Sequence, residues 1–67
     1  MKDFQAVKEL LTSAQSPLRA RREFWPRTDY AAFDGDDIER YDADGHPSFL
    51  TEEDLAAKDW IVEVDPA

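Results

Sequence analysis

Cysteine is absent from this chain of 67 residues. Disulfides and thiolate zinc sites are therefore excluded, although small domains often depend on one or the other, and nothing requires an oxidising compartment. Histidine occurs once, at His46, which rules out imidazole pairs and HExxH metal sites. The two glycines, Gly35 and Gly45, are too few to build a loop that cradles phosphate. No apolar run approaches the roughly 20 residues needed to cross a bilayer, and the opening MKDFQAVKELL lacks the apolar stretch of a secretory signal. The expectation is a cytoplasmic protein that is neither membrane-bound nor disulfide-linked. At this length the chain makes a single domain, residues 1–67, and hides only about 60% of the surface its unfolded form exposes.

Basic residues are also scarce. Eight Lys and Arg stand against 16 Asp and Glu, a formal net charge of -8. The imbalance is polarised: residues 1–28 hold six basic and three acidic side chains (+3), and residues 29–67 hold two and thirteen (-11). Affinity for nucleic acid comes largely from neutralising phosphates with Lys and Arg, so direct binding to nucleic acid is not expected. A basic partner would be attracted and its association hastened.

Several elements follow from local pattern. Asp3 is placed to cap a helix whose apolar residues Phe4, Val7, Leu10, Leu11 and Ala14 recur at three- and four-residue spacing, and Ser16-Pro17 ends it. Leu18 to Trp25 partly alternates and predicts a strand with Leu18, Ala20 and Phe24 inward and the arginines outward, closed by Pro26. Tyr30 to Phe33 predicts a second strand, Asp34-Gly35-Asp36-Asp37 a turn, and Ile38 to Asp42 a third strand. Thr51-Glu52-Glu53-Asp54 is a helix start in which the Thr51 hydroxyl accepts from the Asp54 amide, with one or two turns over Glu52 to Lys58. Trp60, Ile61, Val62 and Val64 form the most β-prone run, stopped by Pro66. The expected fold is α+β: an N-terminal helix on a small antiparallel sheet of three to four strands, with a short second helix before the last strand.

Chemistry-bearing patterns are few. Asp42, Asp44, Phe49 and Glu53 match positions 1, 3, 8 and 12 of a calcium loop, but the glycine position is Pro47 and an oxygen-ligand position is His46. Asp42-Ala43-Asp44-Gly45 reads better as a hairpin turn, with no metal or other cofactor expected. The serines, at 13, 16 and 48, lie in no nucleophile-elbow pattern, and so small a domain rarely encloses the cleft that shifts a carboxylate pKa; enzyme activity is not expected.

The tail TEEDLAAKDWIVEV resembles the EDLLA-x-DW-x-V ending of a group of small phage counter-defence proteins that includes the Thoeris anti-defence family and an anti-CRISPR relative; the matching residues are Glu53, Asp54, Leu55, Ala57, Asp59, Trp60 and Val62. FQAVKELL is similar to that group's first helix, and Arg22-Glu23-Phe24-Trp25 to its R-x-x-W step into the first strand. The resemblance covers both ends, roughly half of the chain. It implies a compact α+β fold and a phage or prophage counter-defence role in a bacterial cytoplasm. This chain is shorter than typical members and more acidic in its middle, and it has Ser16-Pro17 where they have a glycine turn. Members that sequester cyclic nucleotide signals form their pockets from the missing middle and a tetramer.

Two functional expectations result. In the first, Asp34, Asp36, Asp37, Glu39, Asp42, Asp44, Glu52 and Glu53 form a surface that imitates the charge of DNA and occupies a basic channel in a host defence complex, such as a type I CRISPR effector. Residues two apart on a strand share a face about 6.6–6.8 Å from each other, so Asp34/Asp36, Asp37/Glu39 and Asp42/Asp44 are expected to lay carboxylates in rows. In the second, Arg21, Arg22 and Trp25 bind a nucleotide-derived immune signal at an oligomer interface, guanidinium on phosphate and indole on base. The expected state is a monomer or small homo-oligomer.

Overall fold

A computed structural model describes residues 1–13 and 18–64. The first helix, α1 (Phe4–Ser13), begins where the Asp3 carboxylate accepts the Ala6 amide at 2.9 Å, so one of the helix's free amides is satisfied by the expected cap. Val7 and Leu11 are buried and Phe4 is half-buried, the three- and four-residue spacing that turns one stripe of α1 inward. The expected terminator Ser16-Pro17, together with Ala14, and the expected stop at Pro66 lie outside the described residues.

Five strands follow: β1 (Leu18–Arg22), β2 (Tyr30–Phe33), β3 (Ile38–Tyr41), β4 (Pro47–Ser48) and, after helix α2 (Glu52–Ala56), β5 (Trp60–Val64). They form one antiparallel sheet in the order β4-β3-β2-β1-β5. The α+β architecture is as expected, with the two-residue β4 added at one edge. The last strand crosses to the side of β1 away from β2, pairing Ala20 with Val62 and Arg22 with Trp60. Lys2 then bridges Trp60 from outside, its amide and carbonyl both bonded to that residue.

Register decides the faces, because strand partners share a side and neighbours alternate. Ala20, Ala31, Ile38 and Trp60 fall on one side, and with Val7, Leu11 and Trp25 they make the core. Ala20 and Ala31 present only methyl groups there, which leaves room for α1 and for two indoles packed edge to face at 5.2 Å. The opposite side carries Arg19, Arg21, Tyr30, Ala32, Glu39, Tyr41, Ile61 and Glu63.

Two expectations for β1 need correction. The strand stops at Arg22, where the Trp25 amide bonds back to the Arg22 carbonyl at 3.1 Å. This turn breaks the alternation, so Trp25 enters the core while Phe24 remains 69% exposed under the Arg22 guanidinium. Arg22 itself lies on the core side, in phase with Leu18 and Ala20. An inward arginine must be paired or it is too costly to bury, and its partners come from α2 and the segment after it.

Candidate functional site

Arg22 reaches the Asp54 carboxylate through Nη1 at 2.8 Å and Asp59 through Nε at 2.9 Å. Asp54 is the buried carboxylate of the fold's described residues and also completes the capping box of α2: its Oδ2 accepts the Thr51 amide at 3.1 Å while its own amide donates to Thr51 Oγ1 at 3.1 Å. Burial pushes the Asp54 carboxyl up, yet the Arg22 guanidinium and the Thr51 donors more than offset this and hold it below its ordinary value. The hydrogen bonds that Arg22 donates to Asp59 and Asp54 raise its own pKa in turn. The carbonyl of Asp54 accepts the Trp60 indole N–H at 2.9 Å, tying this network to the core.

The other expected ligand groups are similarly engaged. Arg21 pairs with Glu63 at 3.3 Å, and Trp25 is 4% exposed with the Arg40 guanidinium 4.2 Å from its ring centre. Arg40 also pairs with Asp29 at 2.7 Å. Arg22 and Trp25 thus belong to the core side and its ion pairs, while Arg21 lies on the opposite face of the sheet paired with Glu63, so the three do not form one ligand site.

The eight expected partner-binding acids occupy different ground. Asp34, Asp36 and Asp37 lie in the loop joining β2 to β3, where Asp34 Oδ1 accepts the amides of Asp37 at 2.7 Å and Asp36 at 2.9 Å. Those two bonds, led by the one from Asp37, hold the Asp34 carboxyl below its usual range. Gly35 takes φ +100°, a conformation that L side chains rarely adopt. Asp42 and Asp44 lie in the loop joining β3 to β4, and Asp42 Oδ1 accepts the amides of His46 at 3.0 Å and Asp44 at 2.9 Å. The His46 amide leads the causes that depress Asp42. Gly45, at φ +79°, donates to the Asp42 carbonyl at 3.0 Å, so the expected hairpin turn forms. Asp42, Asp44 and His46 bring one ligand atom each within 4.8 Å of one another, all exposed, but Asp42 Oδ1 is already taken by two amides.

The expected strand rows therefore do not form. Asp34, Asp36 and Asp37 belong to one loop and Asp42 and Asp44 to another, so the alternate-residue spacing of a strand does not apply. The two loops cap opposite ends of β3; five residue steps from Asp37 to Asp42 at about 3.3 Å each put them about 17 Å apart. Glu39 stands between them on the sheet side that carries Tyr41. Glu52 and Glu53 are exposed in the first turn of α2, where the helix dipole favours them. Among the described residues none of the eight has a lysine or arginine partner; the His46 imidazole lies 3.9 Å from Asp42.

One feature escaped the reading of the sequence. A groove of about 280 Å³ runs between α1, the β2–β3 loop and the approach to α2. Its apolar walls include Phe4, Phe33, Leu50 and Leu55, and Asp36 and Asp37 stand on its lining. Phe49, at its margin, is 91% exposed, Leu55 48% and Phe33 38%. A signal was available: Leu50 and Leu55 flank Thr51 at the positions of a hydrophobic staple, which leaves the preceding Phe49 outside the core.

No helix among the described residues is long and apolar enough to cross a membrane. No family model, curated protein or solved structure matches the chain.

Proposed function

We propose that this protein is a counter-defence inhibitor of the anti-CRISPR kind, which binds a basic nucleic-acid-binding surface of a bacterial effector through its acidic loops and excludes the nucleic acid without turnover. The observation that carries the reading is the division of labour among the acids. Arg21, Arg22 and Arg40 are matched with Glu63, Asp54, Asp59 and Asp29, whereas among the described residues the exposed acids of the two β3 loops and of the α2 start have no lysine or arginine partner. Unmatched fixed charge on rigid turns is what a lysine- and arginine-lined channel recognises. The phage character and the preference for a type I CRISPR effector come from the resemblance of the tail. The second reading, a sponge for a nucleotide-derived signal, has less support, since a phosphate at Arg21 or Arg22 would have to displace carboxylates already bound there.

The test is competition. A purified type I CRISPR effector is incubated with labelled target DNA and increasing amounts of this protein, and bound DNA is followed by mobility shift. Displacement is expected, and Asp36→Lys/Asp37→Lys/Asp44→Lys/Glu52→Lys is expected to abolish it; these positions spare Asp34 and Asp42, whose carboxylates build the turns. Unchanged inhibition by the charge-reversed protein would overturn the reading.

A further inference from the structure

We propose that the groove beside the β2–β3 loop is a docking site for a partner polypeptide, receiving one bulky apolar side chain that lysine or arginine flanks. This rests on the acidic-surface reading and supplies the partner chemistry that charge alone leaves open. Exposed apolar groups gathered at one place on a small protein mark a contact surface, and Phe33, Phe49 and Leu55 gather here. At about 280 Å³ the groove falls below the usual range for drug-sized ligands, and it suits a single large side chain. Its walls accept an apolar group, while Asp36 and Asp37 on the lining, against the single cation Lys8, favour positive charge beside that group. Glu52 adds to this bias, standing three residues before Leu55 on the same side of α2. A second copy of this chain is the poorer occupant: each copy carries a formal net charge of -8, and the contact would set Asp36 and Asp37 of one against those of the other. Phe49 closes over the inserted side chain and excludes water from it, as the rim of an interface does around its anchor.

The probe is a fluorescein-labelled synthetic peptide of about twelve residues with a central Leu-Phe pair between lysines, compared with two controls. One control keeps the lysines and replaces Leu-Phe with Ser-Ser; the other keeps Leu-Phe and replaces lysine with glutamate. Anisotropy titrations at about 50 mM salt are expected to show saturable binding of the first peptide and at least about tenfold weaker binding of both controls, a difference of about 1.4 kcal/mol. Phe49→Ala is expected to weaken the first peptide about tenfold, with folding checked by tryptophan fluorescence. If the serine control binds as well as the parent, the groove proposal is overturned and the acidic-surface reading stands. If the glutamate control binds as well, the demand for basic flanks is overturned, and with it the link between groove and acids. Absence of saturable binding to all three overturns the docking site, and DNA displacement from the effector then decides the acidic surface independently. A dimer in sedimentation that Phe49→Ala dissolves also overturns it, by making the occupant a second copy.

Discussion

Replacing Asp54 with alanine should be among the most damaging single changes in this protein. The side chain is 6% exposed and its partner Arg22 15%, so deletion strands a guanidinium in a site that water reaches poorly. Breaking a buried pair from one side costs about 3–5 kcal/mol. Arg22 keeps Asp59, which is 27% exposed, so the lower end applies, about 3 kcal/mol. Loss of the bond from the Thr51 amide removes half of the capping box and adds roughly 0.5–1 kcal/mol. The sum is about 3.5–4 kcal/mol, against a total stability of roughly 3–10 kcal/mol at 0.05–0.15 kcal/mol for each residue of a chain this size. Asp59→Ala, at the wetter end of the network, should cost about 1 kcal/mol. Urea unfolding followed by the fluorescence of buried Trp25 and Trp60 measures both. In a double-mutant cycle, Arg22→Ala should cost markedly less in the Asp54→Ala background than alone, with a coupling of about 2 kcal/mol. Equal costs for Asp54→Ala and Asp59→Ala, or no coupling to Arg22, would refute the network argument.

Four other outcomes are expected. Phe49→Ala should leave stability within about 0.5 kcal/mol, since the ring touches mostly solvent, and the urea midpoint checks this. Trp60→Phe should cost about 1 kcal/mol more than Trp25→Phe, because only the former loses a hydrogen bond, the one from its indole N–H to the Asp54 carbonyl; paired thermal melts decide it. Gly45→Ala should cost about 1–2 kcal/mol from the left-handed φ alone, there being open space around the added methyl. Asp34, Asp42 and Asp54 all lie below their ordinary carboxylate values in the folded state, while unfolded aspartate titrates near 3.9. Their contribution is therefore complete above about pH 5 and is lost as pH falls through the lower folded values; stability that rises on acidification below about pH 4 would contradict this.

Much of the fold was legible because its signals are local. The Asp3 cap, the Phe4-Val7-Leu11 stripe and the Thr51 capping box each act within one or two helical turns. The glycine at Gly45 and the aspartate at Asp42 specify a turn within five residues. What was misread depends on partners distant in sequence. Arg22 reads as an outward cation until Asp54 and Asp59, more than thirty positions later, are brought to it. Phe24, expected inward, is exposed because a turn at Arg22 ends the alternation, and nothing in LRARREFW marks where alternation stops. The acids were correctly identified as an excess but wrongly arranged. The turns at Asp34–Asp37 and Asp42–Gly45 were expected, but strand spacing does not apply within them, so their carboxylates accept turn amides at either end of β3 instead of lining up in rows. The groove depends on α1, the β2–β3 loop and the approach to α2 meeting in space, and no linear pattern records that meeting.

The central claim is that the exposed, arginine-free acids are the binding surface for a positively charged protein target. Its most direct measurement is the dissociation constant for a purified type I CRISPR effector at about 50 mM and about 500 mM salt, with labelled DNA as competitor. Screening shortens from about 14 Å to about 4 Å over that range, so the complex should weaken at least tenfold, with this protein and DNA excluding each other throughout. An affinity that does not change with salt, or a ternary complex holding both at once, would contradict the account.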